Sequence, residues 1–279
     1  MPRINDHWFS SVIYIYPTEE SAKSGDGVGG SGFLLGQKSL NGDHIHIYAV
    51  TNRHVVVEHG TRKERFIRTI ACDGRTVIKQ VKPEDWAFHP DGDDIALCHI
   101  DLVKEETPTY FYFNKDDLHS KDTCEDIAIG PGDDVFMLGR FFSHDGRQRN
   151  SPIVRFGNIA MMPEENVLHN KVPQKLFLVD SRSTSGFSGS PVFVDIPPDS
   201  YRPDKNISPT WIILTLSQPR ESELWTPSAN ASPSPPTPFT LPRSVAGRQL
   251  SAPPIHFCCL SSGVKGKRCL PLLRFYSQF

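Results

Sequence analysis

No apolar run in this 279-residue chain reaches the roughly 20 residues that a membrane-spanning helix needs. The first six residues, Met1 to Asp6, carry one basic side chain, and no apolar segment of the signal-peptide kind follows. As written, the chain therefore shows no export signal and is expected to be cytoplasmic. Charge of one sign is also lacking, with 30 Lys and Arg against 32 Asp and Glu for a formal net charge of −2. That balance gives no reason to expect nucleic acid or an anionic membrane as a partner. The six cysteines, Cys72, Cys98, Cys124, Cys258, Cys259 and Cys269, show no CxxC spacing, which argues against a zinc site and favours a reducing compartment. Finally, no segment of about a dozen residues or more sustains a 3.6-residue apolar period, so helix is expected to be scarce.

Short β-type runs with turns between them fill residues 8–216. Ser11–Tyr16, Gly32–Leu35, His44–Val50, Arg65–Ala71, Thr76–Val81 and Ile95–Ile100 are candidates in the first part. Tyr110–Phe113, Val135–Leu138, Ile153–Ile159, Leu176–Val179, Pro191–Val194 and Trp211–Leu216 follow. Many short strands at turn-punctuated spacing predict an all-β barrel or sandwich. The polar stretch around 105–122 reads as a crossover, dividing the body into residues 8–104 and 123–217, each large enough for its own core.

From residue 218 the texture changes. Ten of the 24 prolines lie in residues 219–279, and neither strand alternation nor helical spacing persists there. Seven basic and two acidic residues make that segment about +5, leaving the rest about −7. The composition predicts a disordered tail over 218–279. The change is abrupt enough to be either a genuine tail or a shifted reading frame.

Three stretches carry possible chemistry. In Gly186-Phe187-Ser188-Gly189-Ser190-Pro191 a serine stands between glycines, in a setting where backbone N–H groups of Gly186 and Ser188 can face one pocket. Taken by itself this is equally a turn leading into a strand. A serine hydroxyl attacks a carbonyl only when a base removes its proton. Thr51-Asn52-Arg53-His54-Val55 offers an imidazole at the end of a strand, and Asp93-Asp94-Ile95-Ala96-Leu97 offers a carboxylate at the entry to an apolar one. Asp94 is preferred because it abuts the apolar run, and Asp93 remains open as the alternative. The order is His, Asp, Ser along the chain, one of the three orders in which this trio is found.

With Gly30-Ser31-Gly32-Phe33 added, these motifs resemble those of trypsin-like serine peptidase domains of the chymotrypsin-fold superfamily, closer to bacterial and HtrA-like members than to digestive enzymes. The resemblance spans about residues 8–216. It implies two antiparallel six-stranded β-barrels, with His54 and Asp94 from the first and Ser188 from the second. Serine endopeptidase activity through an acyl-enzyme would follow, acting on a peptide or protein with no cofactor and no metal. Gly186 and Ser188 would form the oxyanion hole. Arg182 falls near the base of the primary specificity pocket, where it would favour an acidic residue if it points inward and do nothing if it points to solvent. Phe187 stands where secreted trypsins carry the aspartate that pairs with a new N-terminus, so no activation of that kind is expected. The strand after the serine loop should form a pocket wall, but Thr215 to Arg220 lack the glycines expected there and no closing strands are recognisable beyond. The second barrel is therefore expected to be incomplete, and a catalytically impaired peptide- or protein-binding module is the alternative function.

Overall fold

The computed structural model describes residue 4 and residues 6–27, 29–39, 44–90, 92–102, 111–114, 118, 128–141, 146, 149–169, 172–181, 186–195, 210–217 and 255–258. The first part of the chain runs through helix α1 (Asp6–Ser11), β1 (Val12–Tyr16), α2 (Glu19–Ser24), β2 (Gly30–Lys38), β3 (Ile45–Thr51) and the single turn α3 (Arg53–Val56). It continues through β4 (Val57–Glu58), β5 (Thr61–Arg62), β6 (Arg65–Ile70), β7 (Thr76–Val81), β8 (Ala87–Phe88), β9 (Ala96–His99) and β10 (Phe113–Asn114). The second part contains β11 (Asp134–Gly139), β12 (Ile153–Met161), β13 (Asn166–His169), β14 (Val172–Ser181), β15 (Pro191–Asp195), β16 (Thr210–Ser217) and β17 (Ile255–Cys258).

Two antiparallel barrels of chymotrypsin type result. In the first, six strands run in the order β7-β6-β1-β2-β3-β9, extended by the two-residue β8 beside β9 and by β10, which pairs in parallel with β2. In the second, β12-β11-β15-β16-β17-β14 forms a ring, because β14 also pairs with β12, and β13 hangs on β14 as a hairpin. The ring closes through Ile255–Cys258, which pairs with both β14 and β16. The closing strand missing from the sequence reading thus comes from the proline-rich segment. Ladder partners rather than side-chain pattern put it there, since an edge with open N–H and C=O groups accepts a strand of almost any sequence.

Side-chain alternation sorts these strands into three cores, since successive residues of a strand face opposite sides. Ile13 and Ile15 join Leu34, Ala49, Ile67 and Trp86 inside the first barrel, while Val12, Tyr14 and Tyr16 face away from it. In the second barrel Val135, Met137, Val192 and Val194 point inward, and Phe136, Leu138 and Phe193 point out. The two outward sets meet as a buried seam between the barrels. Trp8 on α1 stacks on Phe193 and Phe136 at 5.2 and 5.8 Å between ring centroids, so the short helix covers one end of that seam. At such separations aromatic pairs contribute about 0.5–1.5 kcal/mol beyond their burial.

Polar groups also cross the seam. Arg68 is fully buried, donating from Nε to Asn150 Oδ1 at 2.9 Å and from Nη1 to the Ala22 carbonyl at 2.9 Å, with its guanidinium 4.9 Å from the Tyr16 ring centre. Asn150 in turn donates to the carbonyls of Val12 and Arg68. A buried cation satisfied in this way fixes the relative placement of the elements it touches, because breaking one partner leaves an uncompensated charge. The two barrels are thereby held in a defined register, which the shared pocket between them requires.

Candidate active site

The loop after β3 positions His54. Asn52 opens the turn α3, and Val56 anchors it in the first barrel, so the imidazole is carried on a rigid element. Opposite it lies the entry to β9. Asp94 is buried at 7 % exposure, and both its carboxylate oxygens are used on one residue. Oδ1 accepts the backbone N–H of His54 at 2.9 Å, and Oδ2 lies 2.6 Å from His54 Nδ1. The Asp94 carbonyl accepts from Asn52 Nδ2 at 2.8 Å and from the Arg53 N–H at 3.2 Å. An ionised carboxylate only accepts, so Nδ1 is the ring nitrogen that donates to Asp94. Asp93 faces elsewhere: its Oδ2 is 3.2 Å from Nδ1 of a second buried histidine, His89. The two candidate carboxylates therefore serve two different imidazoles, and the one on His54 is Asp94.

Ser188 comes from the loop before β15. His54, Ser188 and Gly186 line one pocket of about 250 Å³ together with Ile15, Pro17, Gly29, Gly30, Val55, Glu58 and Arg65. Among the described residues no hydrogen bond joins Ser188 to His54. The turn itself is tightly tied. Gly186 has φ of 102° and Gly189 φ of 86°, both in the region that glycine enters without strain. A Cβ on Gly189 would collide with the Ser31 carbonyl and with Thr51 Oγ1. Phe187 is fully buried among the interior residues of the second barrel, with the Arg155 guanidinium 6.0 Å from its ring centre. Arg182 lies outside the described residues.

Each carbonyl of the turn 186–188 has a donor. Ser31 Oγ donates to Gly186 O at 2.8 Å, the Ser190 N–H donates to Phe187 O at 2.9 Å, and the Ser31 N–H donates to Ser188 O at 2.8 Å. Among the described residues no acceptor takes the backbone N–H of Gly186 or of Ser188. Beyond the imidazole, the Arg65 guanidinium donates to Glu58 Oε1 at 2.5 Å and to the Val55 carbonyl at 3.0 Å, forming the far rim of the pocket. Two residues escaped the sequence reading. Ser31 stood inside a motif but without a role, because its partners lie up to 157 positions away. His89 stood four positions before Asp93, a spacing that in hindsight signals a local pair.

Among the described residues no group of three His, Cys, Asp or Glu side chains converges as metal ligands would. None of the helices described is long and apolar enough to cross a membrane.

The family model of the trypsin-like peptidase domain matches residues 30–195. No curated protein matches the chain. Solved structures similar to it include the MamO protease domain from Magnetospirillum magneticum, at 17 % identity over 67 % of this chain and 79 % of that one, with a TM-score of 0.44. Deg5 is 17 % identical over 66 % and 73 % of the two chains, with a TM-score of 0.45. The active form of the Rv3671c protease from M. tuberculosis is 15 % identical over 75 % and 77 %, with a TM-score of 0.39. The matched stretch takes in β2, α3, Asp94 and the serine turn, and on that match the chain belongs to the trypsin-like peptidase domain family.

Proposed function

We propose that the protein is a serine endopeptidase that hydrolyses peptide bonds through an acyl-enzyme. The observation carrying this reading is the Asp94–His54 pair at 2.6 Å on the same pocket as Ser188. On substrate binding, His54 Nε2 takes the Ser188 proton as the hydroxyl oxygen attacks the scissile carbonyl carbon. Asp94 holds the ring and offsets the charge of the imidazolium, and the N–H groups of Gly186 and Ser188 receive the oxyanion. Collapse of the tetrahedral intermediate breaks the C–N bond, with the proton passing from His54 to the leaving amine. Water then attacks the ester by the same route and frees Ser188. A peptide or protein is the substrate, and Arg182 remains a candidate for selecting an acidic side chain.

The alternative, a peptide-binding module of the same fold, draws on one observation: Ser188 and His54 share the pocket without a hydrogen bond between them. A fluorophosphonate probe separates the two readings, since it needs an activated serine and an oxyanion hole but little of the specificity pocket. Labelling of the intact chain that is abolished in Ser188→Ala and in His54→Ala is the expected result, and the double variant should be no worse, because these groups act as a unit. A folded wild-type chain that resists the probe would refute the peptidase reading.

A further inference from the structure

Resting on the peptidase reading, we propose that Ser31 is a positioning residue that holds the Gly186 carbonyl of the turn 186–188 away from the pocket. Ser31 is fully buried on β2 and is hydrogen-bonded at every polar atom. Its N–H donates to Ser188 O at 2.8 Å and its Oγ donates to Gly186 O at 2.8 Å. Its carbonyl accepts from Thr51 Oγ1 at 2.7 Å, and its Oγ accepts from the Arg140 N–H at 2.9 Å. Thr51 ends β3, three positions before His54, and Arg140 directly follows β11. One residue thus connects the histidine strand and the second barrel to the serine turn.

The hydroxyl matters because of Gly186. A glycine at φ of 102° meets little steric resistance to rotation of its peptides. If the Gly186 carbonyl swung toward the pocket, its oxygen would occupy the space meant for the oxyanion, with the wrong sign of charge. The Phe187 and Ser188 carbonyls are held by backbone donors, Ser190 N–H and Ser31 N–H. Of the three carbonyls, the one on Gly186 is held by a side chain, Ser31 Oγ. The Arg140 N–H fixes the rotamer by giving Oγ a donor, so that the Oγ hydrogen is directed to Gly186. Alanine at this position removes the side-chain donor to the Gly186 carbonyl and the hydroxyl that accepts from the Arg140 N–H.

The test compares fluorophosphonate labelling of the full chain for wild type, Ser31→Ala, Ser31→Cys and Ser188→Ala, following the rate constant and the final fraction labelled separately. Ser188→Ala should take no label. A lost neutral hydrogen bond contributes a factor of roughly five to ten. Ser31→Ala should therefore label that much more slowly yet reach the wild-type plateau, and Ser31→Cys, with its weaker donor, should fall between. Hydrolysis of p-nitrophenyl acetate should show the loss in kcat, with KM within about twofold of wild type. A purely structural serine would lower the plateau and leave the rate constant unchanged. If Ser31→Ala folds poorly, Ser31→Cys decides. Wild-type rate constants in either variant overturn the inference while leaving the peptidase standing, whereas an unlabelled wild type removes both.

Discussion

Replacing Asp94 with asparagine puts the carboxylate's two contacts in conflict. In the native protein Oδ1 accepts the His54 backbone N–H and Oδ2 meets the His54 ring at Nδ1. Asparagine has one acceptor oxygen and one amide nitrogen, so it serves one of these correctly and opposes the other. If the oxygen faces the backbone, the NH2 group donates to Nδ1, the ring proton moves to Nε2, and the base of the proposed mechanism is lost. Triads lose about ten-thousand-fold in kcat from that tautomer error. If the amide flips, Nε2 regains its lone pair, but the NH2 group opposes the His54 N–H in a buried site. An unsatisfied buried donor costs about 1–3 kcal/mol. For a chain of this size that corresponds to a melting point lower by roughly 2–10 °C. Ester hydrolysis and a thermal melt on the same preparation separate the branches: low activity with native stability, or retained activity with a lower melting point. A variant with both wild-type activity and wild-type stability would refute the reasoning, because neither orientation permits it.

Two further outcomes concern groups away from the pocket. Burial, followed by the neighbouring Asp134 charge, raises the Asp195 carboxyl above its ordinary value. A raised acid binds its proton more tightly in the folded state, so its contribution is favourable below the unfolded pKa and is lost as pH climbs through the folded one. Asp195→Asn should therefore stabilise the protein at pH 7 relative to wild type, with the gain vanishing near pH 3 in a melting series; an equal gain at both pH values would rule the account out. Burial likewise pushes the Cys98 thiol far above its usual range, while Cys72 is exposed. Brief iodoacetamide treatment at pH 8 followed by peptide mapping should modify Cys72 and spare Cys98 until the protein is unfolded, since the thiolate is the reactive form.

Much of the barrel architecture was legible because half-buried strands write their faces into the sequence. Thr76–Val81 and Arg65–Ile70 emerge close to their expected bounds, since alternation and flanking turns are local signals. The helices α1 and α2 are six residues each, too short for a 3.6-residue period to register. For α2 the punctuation was present all the same: Thr18 caps it, Ser21 completes the capping box, and Gly25 closes it at φ of 78°. The choice between Asp93 and Asp94 could not be read because the pair sits in a tight bend before β9, where the Ile95 N–H donates to the Asp93 carbonyl, and only the folded chain says which carboxylate meets His54. Ser31 shows the remaining limit. Its importance comes from four contacts made at long range, and nothing in a glycine-flanked serine announces them.

The pocket takes one wall from each barrel, with residues 15–65 on one side and Gly186 and Ser188 on the other. On the proposed mechanism, this division acts as a safeguard during synthesis. The half that emerges first from the ribosome carries the base and its carboxylate but no nucleophile. The half that emerges second brings a serine whose turn is stapled only once β2 is already folded beside it. Neither fragment can cut the chain it belongs to, or its neighbours, while folding is under way. Cleavage becomes possible only after the seam formed by Phe136, Phe193 and the first-barrel tyrosines has closed, so proteolytic capacity reports that the whole domain has been assembled.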